Sequence, residues 1–460
     1  MMLILVKTGF FEKTCSCLTR NKPAIILALS LKEYIALIIF SIVYVLIVGR
    51  IKFKIPIWIA MLIGAVLMIG FQIIDVNSAI KSIQLDVIIF LFGMFSIVSA
   101  LDKSGILRLV AVKMLSKAKT PNSLLLIFVV GMGLLSAFLV NDTIALVAIP
   151  LIVYISKHIG IKPVTLLVAL AFGITIGSTM TPIGNPQNLL IAVQSGISLP
   201  FTNFIKFLAI PTIINLFLTY FILKIYFKKD LLQVSDNFQK NSMMQNVTIE
   251  NPRLARISII VLMLTIAGFF ISEILHFLHI FDISISIVAL TGASVIYIVS
   301  NHRREIIKSV NYPILVLFAA MFIVTSALWS SGAVSLFIKY LPIPNPNDVI
   351  QSTAVISVYS VTLSQILSNV PFVALYNHVM IGNGFTSMHV AQWMMLAASS
   401  TIAGNLTILG AASSMIIIQA AESRGVKAFT FFEFAKIGVV VTLVNLLVYY
   451  LFIVLLGIAK

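Results

Sequence analysis

The chain has 460 residues, 60% of them hydrophobic and 10% charged, with a mean hydropathy of +1.11. Apolar runs of membrane-spanning length recur from end to end, which excludes a soluble globular domain, and the alternating segments of a β-barrel are missing. The formal charge of +16 comes from Lys and Arg clustered in short loops, with no basic stripe interleaved with aromatics, so no nucleic-acid partner is implied.

Residues 1–30 carry the only two cysteines, Cys15 and Cys17, which give no disulfide framework. Lys7 and Lys13 interrupt the apolar part, so this stretch does not read as a signal peptide and is expected to be a poorly ordered tail. Candidate membrane segments then fall near 34–49, 55–74 and 87–101, followed by a pair at 122–140 and 143–157, and by 163–195 and 205–227. A polar linker spans 228–256. Beyond it come 257–279, 282–300, 312–330, a second pair at 350–367 and 371–382, then 389–421 and 436–457. The expected organisation is therefore a first transmembrane repeat over 31–227, a cytoplasmic linker, and a second repeat over 257–460.

The repeat is visible in the residues themselves. KSIQLDVIIFLFGMFSIVSALDKSGI (81–106) lies over KSVNYPILVLFAAMFIVTSALWSSGA (308–333) without a gap, offset by 227. LVND (139–142) falls near LSNV (367–370), and TPIGNPQN (181–188) near TILGAASS (407–414). If each tight pair enters and leaves on one side, each half makes five net crossings and the second half is inverted. Starting outside, the cytoplasmic stretches 50–54, 103–119, 157–162, 224–256, 303–308 and 424–436 hold 22 of the 31 Lys and Arg. That bias obeys the positive-inside rule, with the tail as the misfit.

GSTMTPIGNPQNLLIA (177–192) places two prolines, two glycines and several amides and hydroxyls where lipid is the solvent. Pro182 and Pro186 interrupt a helix, and Gly177 and Gly184 tolerate unusual backbone. Non-helical backbone at membrane depth survives only inside protein or beside a watery cavity, where solutes can use the same groups. ASSTIAGNLTILGAASS (398–414) is the counterpart in the second half. In the first pair the apolar run ends at Asn141-Asp142-Thr143, and Asp142 is the carboxylate most embedded in apolar sequence. Its partner turns at Ser368-Asn369-Val370-Pro371. Loop charge alone does not decide whether these pairs are re-entrant hairpins or ordinary helix pairs.

Other polar residues carry less. His378 and Asn377 read as packed, hydrogen-bonded core residues, and His276, His279 and Asp282 as an interfacial polar rim rather than a metal site. Asn246-Val247-Thr248 is a glycosylation pattern on the expected cytoplasmic side, where it is silent.

FLVNDTIALVAIP (138–150), GSTMTPIGNPQNLLIA (177–192), LSNVPFVAL (367–375) and AGNLTILGAASSMI (403–416) together resemble the ion transporter superfamily. That superfamily includes citrate-transporter-like and divalent-anion:sodium symporter carriers and the arsenical efflux permeases. The resemblance implies an all-α polytopic membrane protein: two inverted repeats of about five helices, two re-entrant hairpins and two discontinuous helices, usually a homodimeric elevator-type carrier. Carried over by position, the tips are Asn141, Asp142 and Thr143, and Ser368, Asn369 and Pro371; the unwound loops run from Thr179 to Asn185 and from Gly404 to Thr407. The first contributes Thr179, Thr181, Gly184 and Asn185, with Ser178 just before it, and the second Gly404, Asn405 and Thr407. The dicarboxylate carriers have Ser-Asn-Thr at both tips, and here neither tip does, which weakens the case for a dicarboxylate.

The function expected is secondary active transport of an anion or oxyanion (a carboxylate, an inorganic anion or an arsenite-like solute) across the cell membrane, coupled to H+ or Na+. No cofactor is implied; a coupling Na+ would lie near Asn141, Asp142 and Asn369. A sodium–proton antiporter and a channel of the same fold remain as alternatives. An intramembrane enzyme is disfavoured because H-E-x-x-H and G-x-S-x-G are both missing, and no G-x-x-x-x-G-K-[ST] phosphate loop supplies ATP hydrolysis.

Overall fold

The computed structural model describes residues 31–49, 55–139, 141–232, 249–333, 344–408 and 410–458; the side chains of Val48, Asp142, Ile366 and Ala412 fall outside the described set. So do the expected N-terminal tail and the Asn246-Val247-Thr248 pattern. The described residues are helical, without strands. In the first half the helices are α1 (Leu31–Val48), α2 (Ile57–Gly70), α3 (Val76–Ser82), α4 (Leu85–Lys103), α5 (Ile106–Leu115), α6 (Pro121–Ser136), α7 (Asn141–Ile159), α8 (Pro163–Gly177), α9 (Pro186–Gln194) and α10 (Pro200–Tyr226). After α11 (Lys228–Leu232) the second half brings α12 (Pro252–Phe277), α13 (Ile285–Val299), α14 (Arg303–Lys308), α15 (Tyr312–Ser330), α16 (Val349–Leu367), α17 (Asn369–Gly382), α18 (Val390–Ile402), α19 (Ala412–Glu422) and α20 (Phe431–Ile458).

Local sequence sets many of these boundaries. Thr120 and Ser123 form a reciprocal cap ahead of Pro121 at the start of α6, and Asp348 accepts from the Gln351 N–H (2.9 Å) at the start of α16. Asn251 caps α12 in the same way, accepting from the Leu254 N–H at 2.9 Å. Six helices, α4, the α8 region, α10, α12, α15 and α20, are long and apolar enough to cross a membrane, as the composition requires.

Packing comes in matched pairs. Helix α4 packs on α13 and α12, while its repeat counterpart α15 packs on α2 and α1. Likewise α6 packs on α8 and α16 on α18; α7 packs on α19 and α17 on α9. The last helices of the two halves, α10 and α20, pack on each other. Such reciprocity is what two similar halves related by a pseudo-twofold produce. Helices α8 and α18 sit at the centre, buried on every side from Thr165 to Gly177 and from Val390 to Ile402. Lipid is as apolar as leucine, so helix association in a bilayer depends on close packing and small residues. The α6–α8 contact shows this: a Cβ at Gly173 would lie 2.6 Å from the Val129 carbonyl oxygen. A separate small core joins α1, α2, α3 and α15 through Val43, Met68, Val324 and Leu328.

Candidate functional site

Each central helix breaks. Helix α8 tightens into a 3-10 turn at Ser178–Met180, opens, and resumes as α9 at Pro186; α18 tightens at Ala403–Asn405, opens, and resumes as α19 at Ala412. The non-helical stretches thus run over 181–185 and, among the described residues, 406–408 and 410–411, slightly later than the unwound loops expected from the sequence, because 3-10 turns absorb Thr179, Gly404 and Asn405.

Each break meets the tip of its own pair. The Asn141 N–H, at the first residue of α7, donates to the Gly184 carbonyl at 3.4 Å, and the Asn369 N–H donates to the Gly410 carbonyl at 3.2 Å. The second tip is a single residue wide: Ser368 separates α16 from α17 at φ 69° and ψ 156°, a backbone region that favours glycine. Its hydroxyl donates to the Gly410 carbonyl (3.4 Å). At the first tip Asn141 is buried and Thr143 half-buried; Asp142 lies in α7, and its side chain is outside the described set. Pro371 is buried in the first turn of α17.

The first break is closed by its own amides. Asn188 Nδ2 donates to the carbonyls of Ser178, Thr179 and Thr181 at 3.2, 3.1 and 3.1 Å. Asn185 accepts from the Asn188 N–H (2.9 Å) to cap α9, and its own Nδ2 donates to Ser178 O, Ser178 Oγ and Thr401 Oγ1. Thr181 Oγ1 donates to the Ala137 carbonyl and accepts from the Gly184 N–H (3.1 Å). Ser178 and Thr179 both turn their hydroxyls back to the Thr175 carbonyl. Gly184 has no room for a side chain, since a Cβ there would meet the Ser178 backbone.

The second break is differently built. Thr407 Oγ1 donates to Gln365 Oε1 at 2.8 Å, and Gln365 Nε2 donates to the Ala403 carbonyl at 2.8 Å, so a residue of α16 ties down the loop. Around this tie sit buried polar atoms with no partner within the protein: Asn405 Oδ1 and Nδ2, Asn369 Oδ1, Thr175 Oγ1, and the hydroxyls of Ser413 and Ser414. Asn369 and Thr175 meet at Gly404, which precedes Asn405 in the chain, and Ser413 and Ser414 open the helix that resumes after the break. A Cβ at Gly404 would lie 2.7 Å from Ala411 Cβ, 3.1 Å from Asn369 Nδ2 and 3.6 Å from Thr175 Cγ2, so only glycine lets these groups approach this closely. Leaving a buried amide or hydroxyl unmade costs roughly 1–3 kcal/mol, so these atoms need water or a solute as partner.

The structure brings the second-half residues Ser368, Asn369, Pro371, Gly404 and Asn405 into this cluster. The first-half residues Ser178, Thr179, Thr181, Gly184 and Asn185 form the closed break, joined to the cluster's helix α18 through Thr401. Sequence reading missed Thr175, Gln365, Ser413 and Ser414. It also missed Glu273, the lone carboxylate of α12, which accepts from the N–H groups of Phe201 and Thr202 and from Thr202 Oγ1 (2.7 Å). A single acid in the mostly apolar helix of 26 residues was the available signal. It caps the start of α10 and stands apart from the cluster. Among the described residues His276 meets only Asp282, at 3.1 Å, and no three-residue metal-ligating group forms.

The sequence profile of the family described as "Citrate transporter" matches residues 35–399. The chain belongs to this citrate transporter family. It is 26% identical to a "46 kDa membrane protein" of Mycobacterium leprae over 90% of this chain and 96% of that one. It is also 26% identical to the "Silicon efflux transporter LSI3" of Oryza sativa subsp. japonica, over 83% and 89%. Among solved structures, the YdaH transporter of Alcanivorax borkumensis superposes with a TM-score of 0.51 at 13% identity, covering 83% of this chain and 89% of that one, which shows the shared fold. The protein is a multi-pass membrane transporter of the ion transporter superfamily, not an enzyme.

Proposed function

We propose that the protein is a secondary active carrier of a small oxyanion or its undissociated acid, coupled to H+ or Na+, and that the solute docks at the second break. The observation carrying this reading is the unpartnered set on Asn369, Asn405, Thr175, Ser413 and Ser414. Asn405 Nδ2 offers a donor, the hydroxyls serve either way, and the two Oδ1 atoms accept. Among the described residues the buried polar side chains include no Lys, Arg or His. A full negative charge therefore needs help. The start of α19 has no side-chain cap and would offer backbone N–H groups, and a co-bound cation would complete the balance. The Oδ1 atoms of Asn369 and Asn405 are the hard oxygen ligands Na+ prefers, with Asn141 and Asp142 near the other tip as further candidates. The matched halves and the two tip-to-break contacts support an elevator carrier, working as a homodimer with the second half inverted.

The test is solute counterflow in proteoliposomes with citrate, succinate, sulfate, phosphate, arsenite and silicic acid, under imposed Na+ and pH gradients. Accelerated exchange of one oxygen-rich solute, lost in Asn405→Ala, is the expected result. Cation exchange with none of these solutes moved would favour a sodium–proton antiporter instead. Conductance without counterflow would indicate a channel.

A further inference from the structure

The last helices of the two halves carry one polar spacing at an offset of 230. Thr212, Asn215, Leu216 and Tyr220 of α10 recur as Thr442, Asn445, Leu446 and Tyr450 of α20. Where the two helices cross, the polar side chains meet in antiparallel order. Asn215 Nδ2 donates to the Asn445 carbonyl at 3.1 Å, Asn445 Nδ2 donates to Thr219 Oγ1 at 3.3 Å, and Thr212 Oγ1 shares a 2.6 Å hydrogen bond with the Tyr449 hydroxyl. Exchanging each residue for its counterpart maps the Asn215–Asn445 pair onto itself, as a pseudo-twofold axis through the crossing requires. The pattern departs from symmetry at one polar position: Thr219 of α10 stands where α20 has Tyr449.

That difference tracks which polar atoms are satisfied. The Tyr449 hydroxyl bonds Thr212 and stands within hydrogen-bonding reach of Asn215 and of Thr179, in the 3-10 turn of the first break. The counterparts of these three are Thr442, Asn445 and, by the offset of 226 at the breaks, Asn405. Thr219, which has no ring, keeps only the contact to Asn445. Thr442 Oγ1 and both side-chain polar atoms of Asn405 are buried and have no partner among the described residues. Asn405 lies against α20 as the symmetry requires. A Cβ at Gly438, one turn before Thr442 on the same face, would meet the Asn405 carbonyl. Buried groups on two separate elements thus lose their partner where one phenol is replaced by a threonine. A hydroxyl answers both, because it accepts from Asn405 Nδ2 while donating to Asn405 Oδ1 or Thr442 Oγ1.

We infer that Asn405 and Thr442 form a hydroxyl subsite of the second break, in which a hydroxyl group of the transported solute takes the place that the Tyr449 phenol holds at the first. Tyr449 is a plug carried by the chain itself. Thr219 is a positioning residue whose small side chain leaves the matching space to the solute. The inference deepens the carrier reading and rests on it. It also adds a chemical demand: an oxyacid that keeps a proton on oxygen fits the subsite, and a proton-free tetrahedral anion such as sulfate does not.

Restoring the phenol in the full chain is the test. Thr219→Tyr should raise the solute-free denaturation midpoint in detergent, since it supplies the missing partner, and should cut exchange of dihydrogen phosphate or silicic acid about tenfold or more. Thr219→Phe brings the ring without the hydroxyl, so it should block exchange as well and leave the midpoint below that of Thr219→Tyr. Thr442→Val keeps the shape and removes one hydroxyl: the midpoint should hold, while KM for the same solutes rises roughly tenfold and kcat changes little. Should Thr219→Tyr fail to fold, Thr442→Val decides. The inference is overturned if Thr219→Tyr exchanges solute as the parent does, if Thr442→Val leaves KM unchanged, or if the parent exchanges sulfate as well as dihydrogen phosphate. A parent that moves no solute at all overturns the carrier reading, whereas equal midpoints for the tyrosine and phenylalanine variants, which need no solute to measure, overturn this inference.

Discussion

The two breaks share a backbone plan and divide its chemistry. Both follow a 3-10 turn, both receive an N–H from the tip of a neighbouring pair, and both resume as a helix whose start faces inward. Yet the first ends with its amides spent on its own carbonyls, while the second leaves an amide and hydroxyls without partners inside the protein. The positions matching Asn185 and Asn188, by the offset of 226, are Ala411 and Ser414. Replacing two asparagines by an alanine and a serine removes the stitching. One break thus spends its amides on its own backbone, and the other keeps the polar atoms that the proposed solute would use.

The largest effect that would break this contrast is at Asn405. Loss of its amide should reduce transport efficiency by roughly 10- to 100-fold, the worth of one or two hydrogen bonds to a charged or polar solute. Because that amide has no partner in the protein, the solute-free thermal midpoint should not fall. Asn369→Ala should behave alike. If either variant melts early while transport per folded molecule persists, the second break is structural and the docking site lies elsewhere.

Asn188→Ala is the mirror experiment. It strips the Thr179 and Thr181 carbonyls of their side-chain donor, leaves Ser178's with Asn185 alone, and should cost roughly 2–4 kcal/mol of stability, read as a lowered denaturation midpoint in detergent. The activity of the fraction that stays folded should change less than in Asn405→Ala. The comparison sharpens further if the stitching is transplanted. Ala411→Asn with Ser414→Asn gives the second break the amides of the first; the solute-free midpoint should rise while transport is lost. Undiminished transport in that double variant would show that the two breaks do not differ in the way described.

Much of this was legible in the sequence, and what was not has a physical reason. The M-F and S-A-L-x-x-S-G matches exposed the repeat, and Pro182, Pro186 and Gly184 marked the first break because no continuous helix accommodates them. The second break, without prolines, was legible only through its counterpart. Which break is closed could not be read, because an asparagine looks the same bonded or free. Asn185 and Asn188 find Thr401 in the other half of the chain, and Thr407 finds Gln365 on another helix.

The smallest effect concerns the far end of the first pair. Thr120 and Ser123 cap each other's backbone at the start of α6: the Ser123 N–H donates to Thr120 Oγ1 at 3.1 Å, and the Thr120 N–H donates to Ser123 Oγ at 2.9 Å. Thr120→Ala removes one half of that exchange at an exposed site and should cost about 1 kcal/mol. The tip lies at the other end of the pair, and the tip-to-break hydrogen bond from Asn141 to Gly184 is left intact. Transport per folded molecule should therefore stay near that of the parent protein. A transport defect out of proportion to the stability loss would mean that the first pair pivots about its capped end, so that its outer anchor, as well as its tip, sets how the pair moves.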